Sequence, residues 1–291
     1  MKWGIVFSST VNPDPDRAIA FATAAEEAGF DSLWAPEHVV IPVEYVPQYM
    51  ASSTGKMDQL ERSGVPDPLI WHAFVAAVTS RIKFGTGVVI LPEHATVAYA
   101  KTVATLASLT KDRFMLGVGV GWCREEYDAL QMPWDNRGKR IEEQIEAMRA
   151  LWRDTPAAYD GRFIRFPEVY CEPKPPAGTV PIHIGGDSEA AATRAGRMAD
   201  GFFPAIFPTQ RVYEALPGLI DTVHRAAREA GRNPEDIELT SGGVRTVEQS
   251  KWFEDLGVHR LTIAVRSKTV DDMRDELLRF GDEVIEATGG R

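Results

Sequence analysis

Two carboxylate–imidazole pairs are the side chains whose types and spacing most directly suggest chemistry in this sequence. Glu37-His38 and Glu93-His94 each lie in a Pro-Glu-His tripeptide that follows an apolar, strand-like run. Carboxylates and imidazoles both bind metals, so the two pairs could in principle form a metal site. A metal-dependent barrel hydrolase typically carries His-x-His on its first strand, whereas the first strand here reads IVFSS. We therefore predict no metal; one pair could instead meet solvent or lie at a helix start, where an anion is favoured.

A glycine-rich stretch from Phe114 to Glu126 is the second unusual feature. It reads FMLGVGVGWCREE and passes from a strand pattern to a helix pattern. Because strand side chains alternate between faces, Met115, Gly117, Gly119 and Gly121 share one face that is almost bare. A bare face packs poorly. It suits either a flat or bulky ligand that approaches the backbone, or a barrel interior filled by neighbouring side chains.

Two other segments leave backbone accessible. Gly185-Gly186-Asp187-Ser188 lies between a strand and a helix, where amide groups and the helix dipole can bind an anion. The same segment also fits a tight turn in which Asp187 or Ser188 caps the helix. Gly85-Thr86-Gly87-Val88 is either a second exposed stretch of backbone or a bulge. The GVGVG run does not match the G-x-G-x-x-G dinucleotide fingerprint, which disfavours a Rossmann fold.

The elements that must position these residues alternate between strands and helices. One helix follows Asp67-Pro68, with a predicted buried face of Ile70, Phe74, Ala77 and Val78. Eight strands alternating with helices predict an α/β fold of the (β/α)8 TIM-barrel type, with a doubly wound open sheet as the alternative. In either fold, ligands bind at the carboxyl ends of the strands. The predicted strands are Lys2–Phe7, Ser32–Trp34, Ile82–Leu91, the run that begins at Phe114, Val180–Ile184, Gly201–Pro204, Ile237–Thr240 and Arg260–Val265.

Two inserted segments interrupt the alternation, after the second and fourth strands. Residues 39–66 lack periodicity and contain prolines, tyrosines and methionines, which predicts a lid over an apolar substrate. Residues 155–176 contain a hairpin signal at Tyr159–Phe163 and end in a proline-rich run. No linker marks a boundary, so we expect residues 1–291 to form one domain.

Composition excludes several classes of protein. The net charge is −10 and no basic run is present, which argues against nucleic acid and membrane surfaces as partners. The two cysteines, Cys123 and Cys171, have no metal-binding spacing. With no signal peptide or apolar span in the sequence, we expect a cytoplasmic protein.

The whole pattern resembles the bacterial luciferase-like superfamily, and within it the deazaflavin (coenzyme F-420)-dependent oxidoreductases. The resemblance covers most of the chain. It implies a (β/α)8 barrel with inserted segments and a deazaflavin or flavin ring at the carboxyl end of the barrel. It rests on EEAGFDSLWAPEHVVIP at 26–42, RIKFGTGVVILP at 81–92, DRFMLGVGVGWCREEYDALQ at 112–131 and PIHIGGDSEAAATRAGRMADGF at 181–202.

The resemblance also implies roles for individual residues. His38 would lie beside the reacting ring carbon and exchange a proton with the substrate, since the ordinary pKa of histidine is about 6.5. Glu37 would bond the ring edge or orient His38. A non-prolyl cis peptide that forms a bulge behind the ring would fall at Gly87-Val88. The remaining predicted cofactor contacts are Thr86, Gly119, Gly121 and Trp122 at the ring and tail, and Gly185, Gly186 and Ser188 at the phosphate.

Two departures from the family pattern limit what is carried over. Sugar-phosphate dehydrogenases of the family place a glutamate directly after the glycine run, where this chain has Trp122. Their tryptophan after the active-site histidine is also absent, with Pro42 near that place. Sugar-phosphate activity is therefore not expected, and a less polar small molecule fits the apolar mouth better.

Three other functions stay open at the level of sequence. An FMN-dependent monooxygenase that uses reduced flavin and oxygen is the alternative within the superfamily. A cofactor-free barrel that only binds a ligand is the alternative from another class. A glycosidase using Glu125 or Glu126 is disfavoured, because no partner carboxylate can be named. A homodimer is the family tendency.

Overall fold

The computed structural model of this chain describes residues 1–10, 13–49, 52, 54–57, 60–204 and 210–290. Within these residues, nine strands form one sheet and two more form a separate hairpin. The sheet contains β1 (Lys2–Val6), β2 (Ser32–Ala35), β3 (Lys83–Thr86), β4 (Val89–Ile90), β5 (Phe114–Gly119), β8 (Ile182–Gly185), β9 (Gly201–Phe203), β10 (Glu238–Gly242) and β11 (Arg260–Ala264). The hairpin consists of β6 (Ala157–Asp160) and β7 (Arg165–Val169).

The sheet closes into a parallel barrel. Its order is β3-β2-β1-β11-β10-β9-β8-β5-β4, and an additional pairing of β3 with β5 completes the ring. Since β3 and β4 are two halves of one predicted strand, the described sheet has eight positions around the barrel. The predicted (β/α)8 barrel is therefore confirmed, and the doubly wound open sheet is wrong.

Helices follow the strands in the order expected for this fold. Asp14 and Asp67 cap two of them by accepting backbone N–H bonds, and a proline begins each of these helices. The helices are α1 (Pro15–Glu27), α2 (Leu60–Ser63), α3 (Pro68–Ala76), α4 (Thr96–Leu109), α5 (Arg124–Ala129), α6 (Arg137–Arg153), α7 (Glu189–Met198), α8 (Gln210–Glu229), α9 (Val247–Asp255) and α10 (Val270–Phe280).

The predicted buried face of α3 is wrong. Ile70 and Phe74 are exposed, and the helix instead buries Leu69, Trp71 and Val75. The sequence PLIWHAFVA is apolar almost all round, so its hydrophobic period does not select one face. The face is set by how the helix packs on its neighbours.

Glycines make room for large side chains inside the barrel. A Cβ at Gly4 or Gly85 would collide with the indole of Trp34, and a Cβ at Gly201 would collide with the ring of His183. Trp34 is fully buried and packs edge-on against His183, with ring centroids 5.6 Å apart. The barrel interior is thus filled by side chains, as in other barrels of this type.

The predicted third strand, Ile82–Leu91, is interrupted in its middle. The Gly87-Val88 peptide bond is cis, at the position that the family resemblance implied, and it separates β3 from β4. Val88 packs onto the glycines of neighbouring strands: a Cβ at Gly119 would lie 2.8 Å from Val88 Cγ2, and one at Gly185 would lie 2.6 Å from Val88 Cγ1. The bare face of β5 is therefore contacted by the Val88 side chain. This agrees with the alternative in which neighbouring side chains fill the barrel interior.

The two inserted segments have different structures. The described part of residues 39–66, which we call the lid segment, contains the short helix α2 and otherwise irregular backbone. The hairpin packs on α6, where Glu143 accepts backbone N–H bonds from Phe163 and Ile164. None of the helices in the described part of the chain is both long enough and apolar enough to cross a bilayer.

Candidate active site

His38 lies just beyond the carboxyl end of β2 and is held by a glutamate from α5. Its Nδ1 atom lies 2.8 Å from Oε2 of Glu126. The His38 side chain is 8% exposed, whereas the Glu126 side chain is fully buried. A carboxylate that bonds one ring nitrogen fixes the orientation of the imidazole, and this is how acid–base histidines are commonly positioned.

Glu37 does not contact His38 in the structure. Its Oε2 atom accepts a hydrogen bond from the Ile90 backbone N–H at 2.8 Å, and its carboxylate lies 3.0 Å from Nε2 of His94. The His94 ring stacks on Tyr99, with centroids 4.1 Å apart. Glu37 therefore ties β4 and the turn after it to the end of β2, and it gives His94 the same kind of support that Glu126 gives His38.

Glu93 lies between these two carboxylate–histidine pairs and has no hydrogen-bond partner among the described residues. The residue is 5% exposed, and both of its carboxyl oxygens are buried. Burial, together with the charges of Glu126 and Glu37, raises the pKa of Glu93 from its ordinary 4.5 to about 9. Glu93 is thus a neutral carboxylic acid at neutral pH.

Trp122 joins His38 to the lid segment through aromatic contacts. Its ring centroid lies 6.2 Å from that of His38 and 6.0 Å from those of Tyr45 and Tyr49. Tyr45 is buried, and its hydroxyl donates a hydrogen bond to Glu61 at 2.9 Å. The lid segment therefore supplies an aromatic wall beside His38.

Two consecutive glutamates at the start of α5 anchor the lid segment. Glu125 Oε1 accepts a hydrogen bond from the Val46 backbone N–H at 2.9 Å, and Glu126 Oε1 accepts one from the Val40 backbone N–H at 3.3 Å. Glu126 thus contacts both His38 and the lid. The sequence suggested only a disfavoured glycosidase role for these two glutamates and did not predict their contacts with the lid segment.

A cavity of about 490 Å³ lies between the end of β5, the start of α6 and the loop that precedes α7. Gly185, Gly186 and Ser188 line it, as the predicted phosphate site requires. Gly186 has φ 113°, a conformation that favours glycine, and Ser188 caps α7 by accepting a bond from the Ala191 backbone N–H. The capped turn is therefore confirmed. The phosphate site stays a prediction, with the loop bordering a cavity.

The walls of this cavity carry more positive than negative charge. Arg137, Lys139 and Arg194 line it, together with one acid, Glu142. Arg194 bonds Glu142 at 3.2 Å and the Gly138 carbonyl at 3.0 Å, which ties α7 to α6. The sequence did not single out these cations: Arg137 and Lys139 lie on α6, far from the glycine motif, and Arg194 lies on α7, just after the glycine loop. They make the cavity suitable for an anionic group.

One of the other predicted cofactor residues lines this cavity, and the rest lie in or near the bulge and the end of β5. Gly119 lines the cavity, and the Val88 side chain packs between Gly119 and Gly185. The Thr86 hydroxyl is buried and donates to the Gly117 carbonyl at 2.7 Å, so it supports the bulge. A Cβ at Gly121, which has φ 67°, would lie 2.8 Å from Ile90.

The carboxylate–histidine pairs do not converge on one point. Within the described residues, no group of three or more histidine, cysteine, aspartate or glutamate side chains has an arrangement that could hold a metal ion. His38 pairs with Glu126, and His94 pairs with Glu37. The arrangement suits proton transfer at His38 better than metal binding.

Comparison with known proteins places the chain in a family. The profile of the luciferase-like monooxygenase family matches residues 1–251. The chain belongs to this family. An uncharacterized protein of Mycobacterium tuberculosis is 30% identical to this luciferase-like protein over 94% of each chain. An F420-dependent glucose-6-phosphate dehydrogenase of Kineococcus radiotolerans is 26% identical over 93% of this chain and 76% of its own length.

Solved structures of other proteins share the barrel of this luciferase-like chain. The monooxygenase RslO1 from Streptomyces bottropensis superposes with a TM-score of 0.76, at 20% identity, over 99% of this chain and 100% of its own. A coenzyme F420-dependent tetrahydromethanopterin reductase from Methanopyrus kandleri gives a TM-score of 0.75, at 15% identity, over 98% and 99% of the two chains. The prediction of an oxidoreductase is confirmed. These proteins include enzymes named as F420-dependent and one named as a monooxygenase.

Proposed function

We propose that the protein is a coenzyme F-420-dependent oxidoreductase that transfers a hydride between the deazaflavin and a small organic substrate with apolar parts. The observation that carries this proposal is the His38–Glu126 pair, in which a buried carboxylate holds a histidine at the mouth of the barrel. The relative from Kineococcus radiotolerans supports it, because the name of that enzyme states the same cofactor dependence.

The residues present fit such a cofactor. The cavity beside Gly185 and Gly186 is cationic and has the volume of a ligand pocket, so its glycine loop, Ser188 and Lys139 would hold the phosphate. Gly119 and Val88 would border the ring end of the site. When bound, the deazaflavin would supply or accept the hydride.

His38 would balance the proton that accompanies each hydride. Oxidation of an alcohol removes a hydride from carbon and a proton from oxygen, and reduction of a carbonyl reverses both transfers. A histidine changes its protonation near neutral pH more readily than any other unperturbed side chain, so His38 can make this exchange. Glu126 would hold the ring in place while the proton moves.

The aromatic wall indicates the kind of substrate. Trp122, Tyr45 and Tyr49 lie on the His38 side of the site and would contact the apolar part of a bound molecule. Trp122 stands where the sugar-phosphate dehydrogenases of the resemblance carry a glutamate, so glucose-6-phosphate is not proposed. A cytoplasmic location and a homodimer stay predictions.

An FMN-dependent monooxygenase is the second candidate. It is favoured by the matching family profile, which is named for monooxygenases, and RslO1, whose structure shares this barrel, is itself named as a monooxygenase. The same apolar site and cationic cavity would hold reduced FMN. The two candidates differ in whether oxygen is consumed.

An anaerobic screen tests the proposal. The protein is mixed with oxidised coenzyme F-420 and a panel of alcohols, or with reduced F-420 and a panel of ketones and enones, while the visible absorbance of the deazaflavin is followed. We expect a protein-dependent change with at least one apolar member of the panel. In a parallel aerobic assay, protein-dependent oxygenation of a panel member with reduced FMN, without any deazaflavin reaction in the anaerobic screen, would contradict the proposal.

A His38→Asn variant tests the residue that carries the proposal. Its amide can still donate a hydrogen bond to Glu126, but it cannot exchange protons near neutral pH. We expect turnover to fall by about 10²-fold or more while the cofactor Kd is unchanged, because general acid–base catalysis contributes this much. Turnover equal to that of the wild type would remove the proton-transfer role of His38.

A further inference from the structure

Glu126 uses both of its carboxyl oxygens in a fully buried position. Oε2 lies 2.8 Å from Nδ1 of His38, and Oε1 accepts a hydrogen bond from the Val40 backbone N–H at 3.3 Å. The backbone N–H can only donate, so it fixes Oε1 as an acceptor.

The neighbouring carboxyl groups determine where protons reside in this part of the site. Glu37 and Glu126 each accept a backbone N–H bond and lie beside a histidine. Glu93 has no hydrogen-bond partner among the described residues, and burial together with the charges of Glu126 and Glu37 raises its pKa, so the proton resides on Glu93. Burial and the charges of these carboxylates also raise the pKa of Tyr99 and of Tyr127, whereas Arg137 and Arg140 lower that of Tyr127. Glu126 is therefore the hydrogen-bond acceptor toward His38.

An ionised carboxylate only accepts hydrogen bonds, so the hydrogen between Glu126 and His38 must belong to Nδ1 of the ring. In neutral imidazole the other nitrogen, Nε2, then carries a lone pair. Nε2 of His38 makes no hydrogen bond to any residue that the structure describes. It is therefore the ring nitrogen left for a substrate.

We propose that Glu126 is a positioning residue that holds neutral His38 in the Nδ1–H tautomer, so that Nε2 is the atom that accepts the substrate proton. The catalytic part of this proposal rests on the proposed function; the tautomer itself does not. In the oxidative direction, the substrate O–H bond breaks, its proton bonds to Nε2, and the positive ring is stabilised by the Glu126 carboxylate. In the reductive direction the same proton returns from Nε2 to oxygen.

Glu126→Gln tests the assignment with little change in shape. The glutamine oxygen must still accept from Val40 N–H, which turns the NH₂ group toward Nδ1 of His38. A donor at that place requires Nδ1 to be an acceptor, so the ring hydrogen must move to Nε2. We expect the variant to fold and to show the opposite tautomer.

The measurement is ¹⁵N–¹H long-range NMR of the histidine rings in the cofactor-free protein, at a pH where the rings are neutral. The His38 signals are assigned by their loss in His38→Asn. Glu125→Gln is the matched control, because it removes the same charge from the same turn of α5 without touching His38. We expect Nδ1–H in the wild type and in Glu125→Gln, and Nε2–H in Glu126→Gln.

Two outcomes would overturn the proposal. An Nε2–H tautomer in the wild type contradicts it, and this result does not depend on whether the variant folds. An unchanged Nδ1–H signal in folded Glu126→Gln also contradicts it. Because the cofactor is absent, failure here is distinct from failure of the proposed function; where a substrate is found, Glu126→Gln should lower kcat by about 10²–10⁴-fold with the cofactor Kd unchanged.

Discussion

Glu93 should give the free energy of unfolding a distinct pH dependence. The pKa of this residue is raised from 4.5 to about 9 in the folded protein. Between these two values the folded protein holds a proton that the unfolded chain has released, so stability falls as pH rises through this window. The slope reaches at most about 1.4 kcal/mol per pH unit.

Glu93→Gln should remove this dependence, because glutamine is neutral at every pH. We expect urea unfolding to show the wild type losing stability relative to the variant from pH 6 to pH 8. An infrared band of a protonated carboxyl group should also be present in the wild type at pH 7 and absent from the variant. Parallel stability curves and no such band would mean that Glu93 is ionised.

Val88, which lies between β3 and β4, packs against glycines of two neighbouring strands. Cβ atoms added at Gly119 and Gly185 would lie only 2.8 and 2.6 Å from the methyl groups of Val88. Gly185→Ala should therefore lower the free energy of unfolding by about 1–3 kcal/mol through overpacking. Measurement by denaturant unfolding checks this value.

The matched control for that prediction is the same substitution in a Val88→Ala background. Removal of the two methyl groups leaves space for the new Cβ, so the cost of Gly185→Ala should fall, with a coupling of about 0.5–3 kcal/mol. Additive effects of the two substitutions would show that the contact with Val88 does not explain why position 185 is a glycine.

The start of α6 and the loop before α7 border the cavity that we propose as the anion site. Lys139→Gln should weaken the binding of a phosphate-bearing cofactor, because it removes a positive charge from the cavity rim. Lys101→Gln removes the same charge from an exposed position on α4 and serves as the control. Fluorescence titration should give a several-fold higher Kd for Lys139→Gln than for Lys101→Gln at low salt. Equal Kd values for the two variants would show that this cavity is not part of the cofactor site.

Much of the whole molecule could be predicted from the sequence, because alternation of apolar strands and capped helices is a local signal. The order of the barrel strands and the caps at Asp14 and Asp67 follow from such patterns. The buried face of α3 could not be predicted, since its apolar residues surround the helix.

The candidate site was predicted less completely, for a physical reason. His38 is marked by its tripeptide, but its partner Glu126 is 88 residues away, and only closure of the barrel brings the two together. Arg137 and Lys139 of the cavity likewise lie on α6, which no local motif links to the glycine loop. Such long-range pairings depend on tertiary structure, which strand and helix periodicity does not encode.

The measurement that tests the central claim most directly is a fluorescence titration of the cofactor-free protein with coenzyme F-420 and, separately, with FMN. The structure presents a cationic cavity beside a glycine loop and a carboxylate-held His38, and we expect saturable binding of the deazaflavin with clear preference over FMN. Preference for FMN, or binding of neither molecule, would contradict the proposed deazaflavin dependence.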